Sequence, residues 1–65
     1  MTKQNNLKHY RLLANLTQEQ VTEQLGLHSS NRLSRWEAGK AYPSAVNLFR
    51  LAKIYGVTVD QLYEL

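Results

Sequence analysis

Apolar and polar residues follow a helical spacing along most of the chain, and the apolar runs are separated by capping residues and glycines. Thr17 stands three positions before Gln20, which is the spacing of a capping box in which the two side chains satisfy backbone donors reciprocally. Gly26 stands where the helix would end, because glycine adopts the left-handed conformation at low steric cost. The pattern predicts a helix over 18–25.

The same punctuation, a polar cap at the start and usually a glycine at the end, predicts four more helices. Their expected limits are Asn5 or Asn6 to about Ala14, Ser29 or Ser30 to Gly39, Pro43-Ser44 to Gly56, and a last turn opened by the capping box of Thr58 and Gln61. β-Branched residues are too few to support strands. We therefore expect an all-α, compact five-helix bundle.

The fourth of these helices is the most apolar. Residues 44–55 contain eight apolar side chains, and only the stripe of Asn47, Arg50 and Lys53 interrupts them. A helix that is apolar around most of its girth is expected to be surrounded by other elements, so this one is predicted to be the central core helix. The apolar residues that could pack on it from the other helices are Leu7, Tyr10, Leu13, Ala14, Val21, Leu25, Val59, Leu62 and Tyr63.

The third helix has only two large apolar residues, Leu33 and Trp36, which fall on one face. If that face is buried, the polar residues that turn outward are Ser30, Asn31, Arg32 and Arg35. Asparagine pairs with adenine in two hydrogen bonds, arginine pairs with guanine, and serine accepts either base. The face is therefore either a base-reading surface or an ordinary solvated helix face.

Length and composition limit the other possibilities. With 65 residues, the chain is expected to form a single domain over residues 1–65 that buries only about 60% of its unfolded surface. It has no cysteine and two histidines, so neither a disulfide nor an independent metal site is expected. No apolar run reaches the roughly 20 residues that span a bilayer, and the N-terminus lacks a signal-peptide pattern. A small soluble, cytoplasmic domain is expected.

The charge distribution favours a polyanionic partner. Eight Lys and Arg stand against five Asp and Glu, for a net charge of +3. Residues 1–16 carry three bases, including Lys3, and no acid, whereas residues 57–65 carry two acids and no base. No acidic residue is placed to orient His9 or His28 as a catalytic base, so no enzyme activity and no cofactor are expected.

Four sequence segments, in their order along the chain, resemble those of a known protein family. They are LTQEQ at 16–20, SRWEAGK at 34–40, Pro43-Ser44, and LAKIYGVTVDQL at 51–62. Over about residues 5–64 the chain resembles the Cro/repressor-type (Xre-like) helix-turn-helix family of bacterial and phage transcription regulators. The resemblance implies a lambda-repressor-like bundle whose second and third helices form the helix-turn-helix, with the third in the DNA major groove.

The resemblance also implies roles for individual residues. The residues that would contact base edges, or phosphates beside them, are Ser30, Asn31, Arg32 and Arg35. The residues that would contact backbone phosphates are Gln18, Ser29, Lys40 and Tyr42. Gln18 would also brace the start of the third helix. Arg11 and Glu37 match a structural ion pair between the first and third helices, and the inward position of Glu37 independently requires a cationic partner.

The chain departs from the family pattern in two places. Nine residues separate Gly26 from Trp36, where the family usually has eight, so the turn before the third helix is lengthened. Leu33 is expected to fix the helical phase because it is the buried anchor. Thr22 stands where the family commonly has alanine, and we expect the longer turn to accommodate the larger side chain.

The predicted function is sequence-specific binding of double-stranded DNA by a transcription regulator. We expect a homodimer on a two-fold operator, with half-site centres about 34 Å apart. An exposed remainder of Val59, Leu62, Tyr63 and Leu65 would be a candidate dimer surface. The alternative is a protein-interaction module, such as an antitoxin that binds a protein partner. A cationic membrane peptide is disfavoured by the regular caps and glycines.

Overall fold

The computed structural model describes residues 5–64, and five helices account for most of them. They are α1 (Leu7–Leu13), α2 (Gln18–Leu25), α3 (Asn31–Glu37), α4 (Ala45–Tyr55) and α5 (Val59–Leu62). Residues 5–64 contain no strand, so the predicted all-α, five-helix fold is confirmed. Lys3 and Leu65 lie outside the described residues, and a single domain over 1–65 stays a prediction.

The two predicted capping boxes are both present. Thr17 Oγ1 accepts a hydrogen bond from the backbone N–H of Gln20 at 3.1 Å, and Gln20 Oε1 accepts from the N–H of Thr17 at 2.8 Å. Thr58 and Gln61 repeat this geometry at 3.3 Å and 2.8 Å at the start of α5. Each box satisfies backbone donors that a helix leaves without intrahelical partners, which explains why these helices begin where they do.

The other helix starts differ in how well they are capped. Asn6 occupies the cap position of α1, but the side chain that accepts is that of Asn5, whose Oδ1 receives the N–H of Leu7 at 3.0 Å. At α3, Ser30 occupies the cap position without a side-chain hydrogen bond, and Ser29 Oγ lies 3.5 Å from the N–H of Asn31. The N-terminal end of α3 is therefore held weakly.

Glycines end α2 and α4 as the sequence predicts. Gly26 and Gly56 adopt left-handed backbone conformations with φ of 73° and 71°. A Cβ added at either position would meet no atom within 4 Å, so the positive φ and not a lack of space favours glycine there.

Each helix contributes one completely buried aliphatic side chain to the core. These residues, all with 0% exposure, are Leu7, Val21, Leu33, Leu51 and Leu62. Around them α1 packs on α3, α2 packs on both α3 and α4, and α4 packs on α5. The result is a bundle of 27 × 24 × 21 Å in which every helix depends on its neighbours.

The prediction that α4 is surrounded by other elements was wrong. Its inner side, with Leu51, Ala52 and Tyr55, is buried, but Val46 and Phe49 are 59% and 66% exposed. A domain of this size has too few helices to cover every side of the fourth one, and apolar composition alone does not reveal how many neighbours a helix has.

No helix within residues 5–64 has the length and apolar character needed to cross a membrane.

The apolar side chains left uncovered also differ from those expected. Of the residues named as a candidate dimer surface, Leu62 and Tyr63 are buried in the core and Val59 is half-buried, so the end of α5 does not present an exposed apolar surface. Leu13, expected to pack inward from α1, is 68% exposed. It belongs to a set of large exposed apolar residues, which are Leu12, Leu13, Tyr42, Val46 and Phe49.

Thr22 is buried on α2, and its hydroxyl is unsatisfied. The residue is 5% exposed, and Oγ1 has no hydrogen-bond partner among residues 5–64. A buried hydroxyl without a partner is destabilising, whereas its methyl group contributes to packing. The two contributions oppose each other.

Replacing Thr22 with alanine should therefore change the free energy of unfolding by no more than about 1 kcal/mol. Urea denaturation followed by circular dichroism measures this. Leu25→Ala, in the same helix and 4% exposed, is the control and should lose about 2–5 kcal/mol because it leaves a cavity. A loss for Thr22→Ala that approaches the control would show that the site requires threonine.

Candidate nucleic-acid interface

Helix α3 turns one face into the core and the other to solvent. Leu33 is fully buried and Trp36 is 2% exposed. Asn31 and Arg35 are exposed on the opposite side, and Arg32 is exposed on the flank. Leu33 therefore sets the helical phase as expected, despite the lengthened turn, and amide and guanidinium groups form a row on the outer surface.

The side chains in this row are not equally free. Within residues 5–64, the side chains of Asn31 and Arg35 make no hydrogen bond or ion pair. The guanidinium carbon of Arg32 lies 5.6 Å from the centroid of the Trp36 ring, which is a cation–π contact. Ser30, at the helix start, is half-buried. Asn31 and Arg35 are therefore the side chains most available to a ligand.

Three of the expected phosphate-contacting residues flank α3 in sequence. Ser29 precedes the helix and is exposed, and Lys40 is exposed in the loop that follows it. Tyr42, in the same loop, is 59% exposed, and its ring centroid lies 5.5 Å from that of Tyr63. The ring contact holds Tyr42 against the end of α5 while leaving much of its surface exposed.

Gln18, the fourth expected phosphate-contacting residue, makes an internal bond. It is half-buried as the first residue of α2, and its Nε2 donates to Glu37 Oε1 at 2.9 Å. Glu37 is the last residue of α3. The expectation that Gln18 braces the start of α3 was therefore wrong, because the contact is made at the other end of the helix.

The expected ion pair between Arg11 and Glu37 is present and buried. Arg11 Nε donates to Glu37 Oε2 at 2.7 Å and Nη2 donates to Oε1 at 3.3 Å, with side-chain exposures of 9% and 5%. Arg11 Nη1 also donates to the carbonyl of Leu16 at 2.9 Å. The hydrogen bonds that Arg11 donates to Glu37 raise the pKa of Arg11, although burial opposes this shift. The pair joins α1 to α3, and Gln18 joins α2 to the same carboxylate.

Tyr55 lies in the electrostatic field of this pair. Burial raises the pKa of its hydroxyl, the negative charge of Glu37 raises it further, and the positive charge of Arg11 opposes the shift. The hydroxyl has no hydrogen-bond partner among the described residues. It stays protonated through neutral and mildly alkaline pH and adds no charge beside the pair.

Asn5 makes a contact to α3 that the sequence did not predict. Its Nδ2 donates to the backbone carbonyl of Trp36 at 2.9 Å, across 31 positions of sequence. The sequence indicated only that Asn5 could cap α1. No spacing rule links a capping residue to a carbonyl in a distant helix, because that contact depends on how the helices pack.

Glu37→Gln should cost about 3 kcal/mol or more of unfolding free energy, because it leaves the buried Arg11 charge without a counter-charge at nearly unchanged volume. Chemical denaturation of the two proteins measures the loss. Glu23→Gln removes an equal charge from an exposed position on α2 and should change stability by less than about 0.5 kcal/mol. Similar losses for both variants would mean that the pair contributes nothing beyond general charge.

Five short helices, with an exposed polar face on the third and the second packed against it, define a small helix-turn-helix domain. The sequence profile of the helix-turn-helix family matches residues 7–62. The chain therefore belongs to this family, and its resemblance to the Cro/repressor type is confirmed.

Two relatives extend the comparison. The chain is 45% identical over 56 residues to the HTH-type transcriptional activator BcrR of Enterococcus faecalis, covering 86% of this chain and 27% of BcrR. It is 41% identical over 59 residues to the uncharacterised HTH-type transcriptional regulator MJ0272 of Methanocaldococcus jannaschii, covering 91% of this chain and 88% of MJ0272. No solved structure matches the chain. The family and these relatives support a role in DNA-binding transcription regulation.

Proposed function

We propose that this chain binds double-stranded DNA sequence-specifically, as the DNA-binding domain of a transcription regulator, with α3 in the major groove. The observation that carries the proposal is the orientation of α3. Its two large apolar residues are buried, and its Asn and Arg side chains face outward in a family of helix-turn-helix proteins. In such domains the second helix of the motif lies in the major groove and its N-terminal residues contact base edges.

The outward residues match the chemistry of base reading. Asn31 offers an amide that donates to N7 and accepts from N6 of adenine, and Arg35 offers two parallel donors to guanine. Ser30 and Arg32 lie beside them, and Arg32 would leave or share its contact with the Trp36 ring to reach a base. Because Asn31 and Arg35 have no partner to give up among residues 5–64, we assign them the main part in reading.

Contacts to phosphate would fix the register of α3 on the duplex. Lys40, Tyr42 and Ser29 are the exposed candidates on either side of the helix. Gln18 can take part while remaining bound to Glu37, because an amide nitrogen carries two hydrogens and Glu37 accepts one of them. A phosphate bound by Gln18 would thereby be connected to the end of α3.

We further propose that two copies bind one two-fold operator. One α3 presents four candidate reading side chains, which is a small basis for selecting a single site, and two copies would double it. Val46 and Phe49 on α4 support association, because apolar side chains that a chain leaves uncovered are candidates for an interface. The same exposure favours the second candidate function, a module that binds a protein partner such as a toxin.

Selection from a random pool of duplexes with the purified chain should recover a preferred sequence made of two inverted half-sites. Affinity for that sequence should fall steeply between two salt concentrations, since phosphate contacts release counterions. Failure to enrich any sequence, with nearly salt-independent weak binding, would favour the protein-interaction alternative. An asymmetric site with a single half would contradict the two-copy arrangement and leave DNA reading intact.

Arg35→Ala should weaken binding to the selected sequence by about 1–3 kcal/mol and relax the preference at one base position. Competition binding against duplexes changed at single positions measures both effects. The physical reason is the loss of a two-bond contact to a base edge.

Lys40→Ala is the matched control, because it removes the same charge from an exposed site assigned to phosphate. It should weaken binding to all sequences alike and reduce the salt slope by about one unit. If Arg35→Ala instead behaves like Lys40→Ala, Arg35 contacts the backbone and the reading role falls to its neighbours.

A further inference from the structure

Asn5 makes two hydrogen bonds that connect the start of α1 with the end of α3. Its Oδ1 accepts from the N–H of Leu7 at 3.0 Å, and its Nδ2 donates to the carbonyl of Trp36 at 2.9 Å. The first bond caps α1 and has a local purpose. The second reaches across to the last turn of α3, so it acts on a different helix.

The bonds that hold α3 converge on its C-terminal end. The last-turn carbonyl of Trp36 accepts from the N–H of Gly39 at 3.1 Å and from Asn5 Nδ2 at 2.9 Å. Glu37, the next residue, is held by Arg11 and Gln18. At the opposite end Ser30 makes no side-chain capping bond. A helix of seven residues has little stability of its own, so its placement depends on tertiary contacts, which are these bonds and the burial of Leu33 and Trp36.

We propose that Asn5 is a positioning residue for DNA reading, an inference that rests on the proposed function. The buried side chains of Leu33 and Trp36 set the rotation of α3, and the Glu37 carboxylate holds its C-terminal end through a side chain. The bond from Asn5 to the Trp36 carbonyl adds a fixed point on the α3 backbone itself and restricts its tilt. A hydrogen bond to a base edge is lost when its length grows by a few tenths of an ångström or its angle changes modestly. The attraction between a charged side chain and a phosphate weakens only slowly with distance. Loss of the tie therefore weakens discrimination more than general DNA affinity.

Asn6 provides a matched control at the adjacent position. Its Nδ2 donates to the carbonyl of Gln61 at 2.9 Å, so it ties the same segment to α5 instead of α3. Aspartate at either position removes the amide donor and adds one negative charge. Asn5→Asp also keeps an oxygen to accept from the N–H of Leu7, so the cap of α1 survives.

The test compares Asn5→Asp with Asn6→Asp for binding to the duplex selected by the wild-type chain and to a mixed-sequence duplex. The quantity measured is the ratio of the two affinities. Partial unfolding withdraws the same share of protein from both duplexes, and an added charge repels both, so neither changes the ratio greatly. We expect Asn5→Asp to lower the ratio by about five- to tenfold, which is the change in affinity that the loss of one hydrogen bond to the selected duplex would cause. We expect Asn6→Asp to leave the ratio unchanged.

A second measurement needs no DNA. Amide hydrogen exchange followed by NMR should show faster exchange across α3, relative to α2 and α4, in Asn5→Asp, and no such change in α3 for Asn6→Asp. Asn5→Ala and Asn6→Ala repeat both comparisons without an added charge. They decide the matter if the aspartate at position 5 prevents folding.

Equal affinity ratios for the position-5 and position-6 variants would overturn the positioning role, and so would unchanged exchange across α3. A wild-type chain that selects no sequence would instead overturn the proposed function, and the reading role of Asn5 with it. The two failures are distinguishable, because in the first the wild-type chain discriminates between duplexes and in the second it does not.

Discussion

The Glu37 carboxylate is the contact on which the arrangement of the first three helices depends. A buried charge is tolerated only when it is paired and its remaining hydrogen-bonding positions are used. Arg11 from α1 supplies the opposite charge, and Gln18 from α2 supplies a further donor. Three helices therefore meet at one carboxyl group at the end of α3. The contacts that neutralise this group hold α2 and α3, the helices of the helix-turn-helix, together with α1.

Features of the fold that depend on local spacing were predictable. The boxes at Thr17 and Thr58 each involve residues three positions apart, so the hydrogen bonds that begin α2 and α5 can be inferred from sequence. The neighbours of a helix cannot be inferred in this way. α4 carries apolar residues on nearly every side, yet Phe49 faces solvent because no other helix is available to cover it. Its composition indicated how much could be buried, and the number of packing partners determined how much was.

The contacts of the candidate site also fall into a group that the sequence predicts and a group that it does not. The outward set on α3 was predictable because one buried leucine fixes the rotation of a short helix, and the Arg11–Glu37 pair was predictable because an inward carboxylate requires a cation. The bond from Asn5 to Trp36 and the true target of Gln18 were not. Both join residues that are remote in sequence through contacts set by helix packing, for which the chain carries no periodic signal.

The distribution of one fully buried aliphatic residue per helix has a consequence for cooperativity. Removing any single helix would expose buried side chains on the helices that it packs against. Partially unfolded forms are therefore unstable, and the chain should unfold in one step. Helix α3 carries one of those five residues, Leu33. It is too short to persist when detached, so heating should abolish its outward polar face at the same temperature as the rest of the tertiary structure.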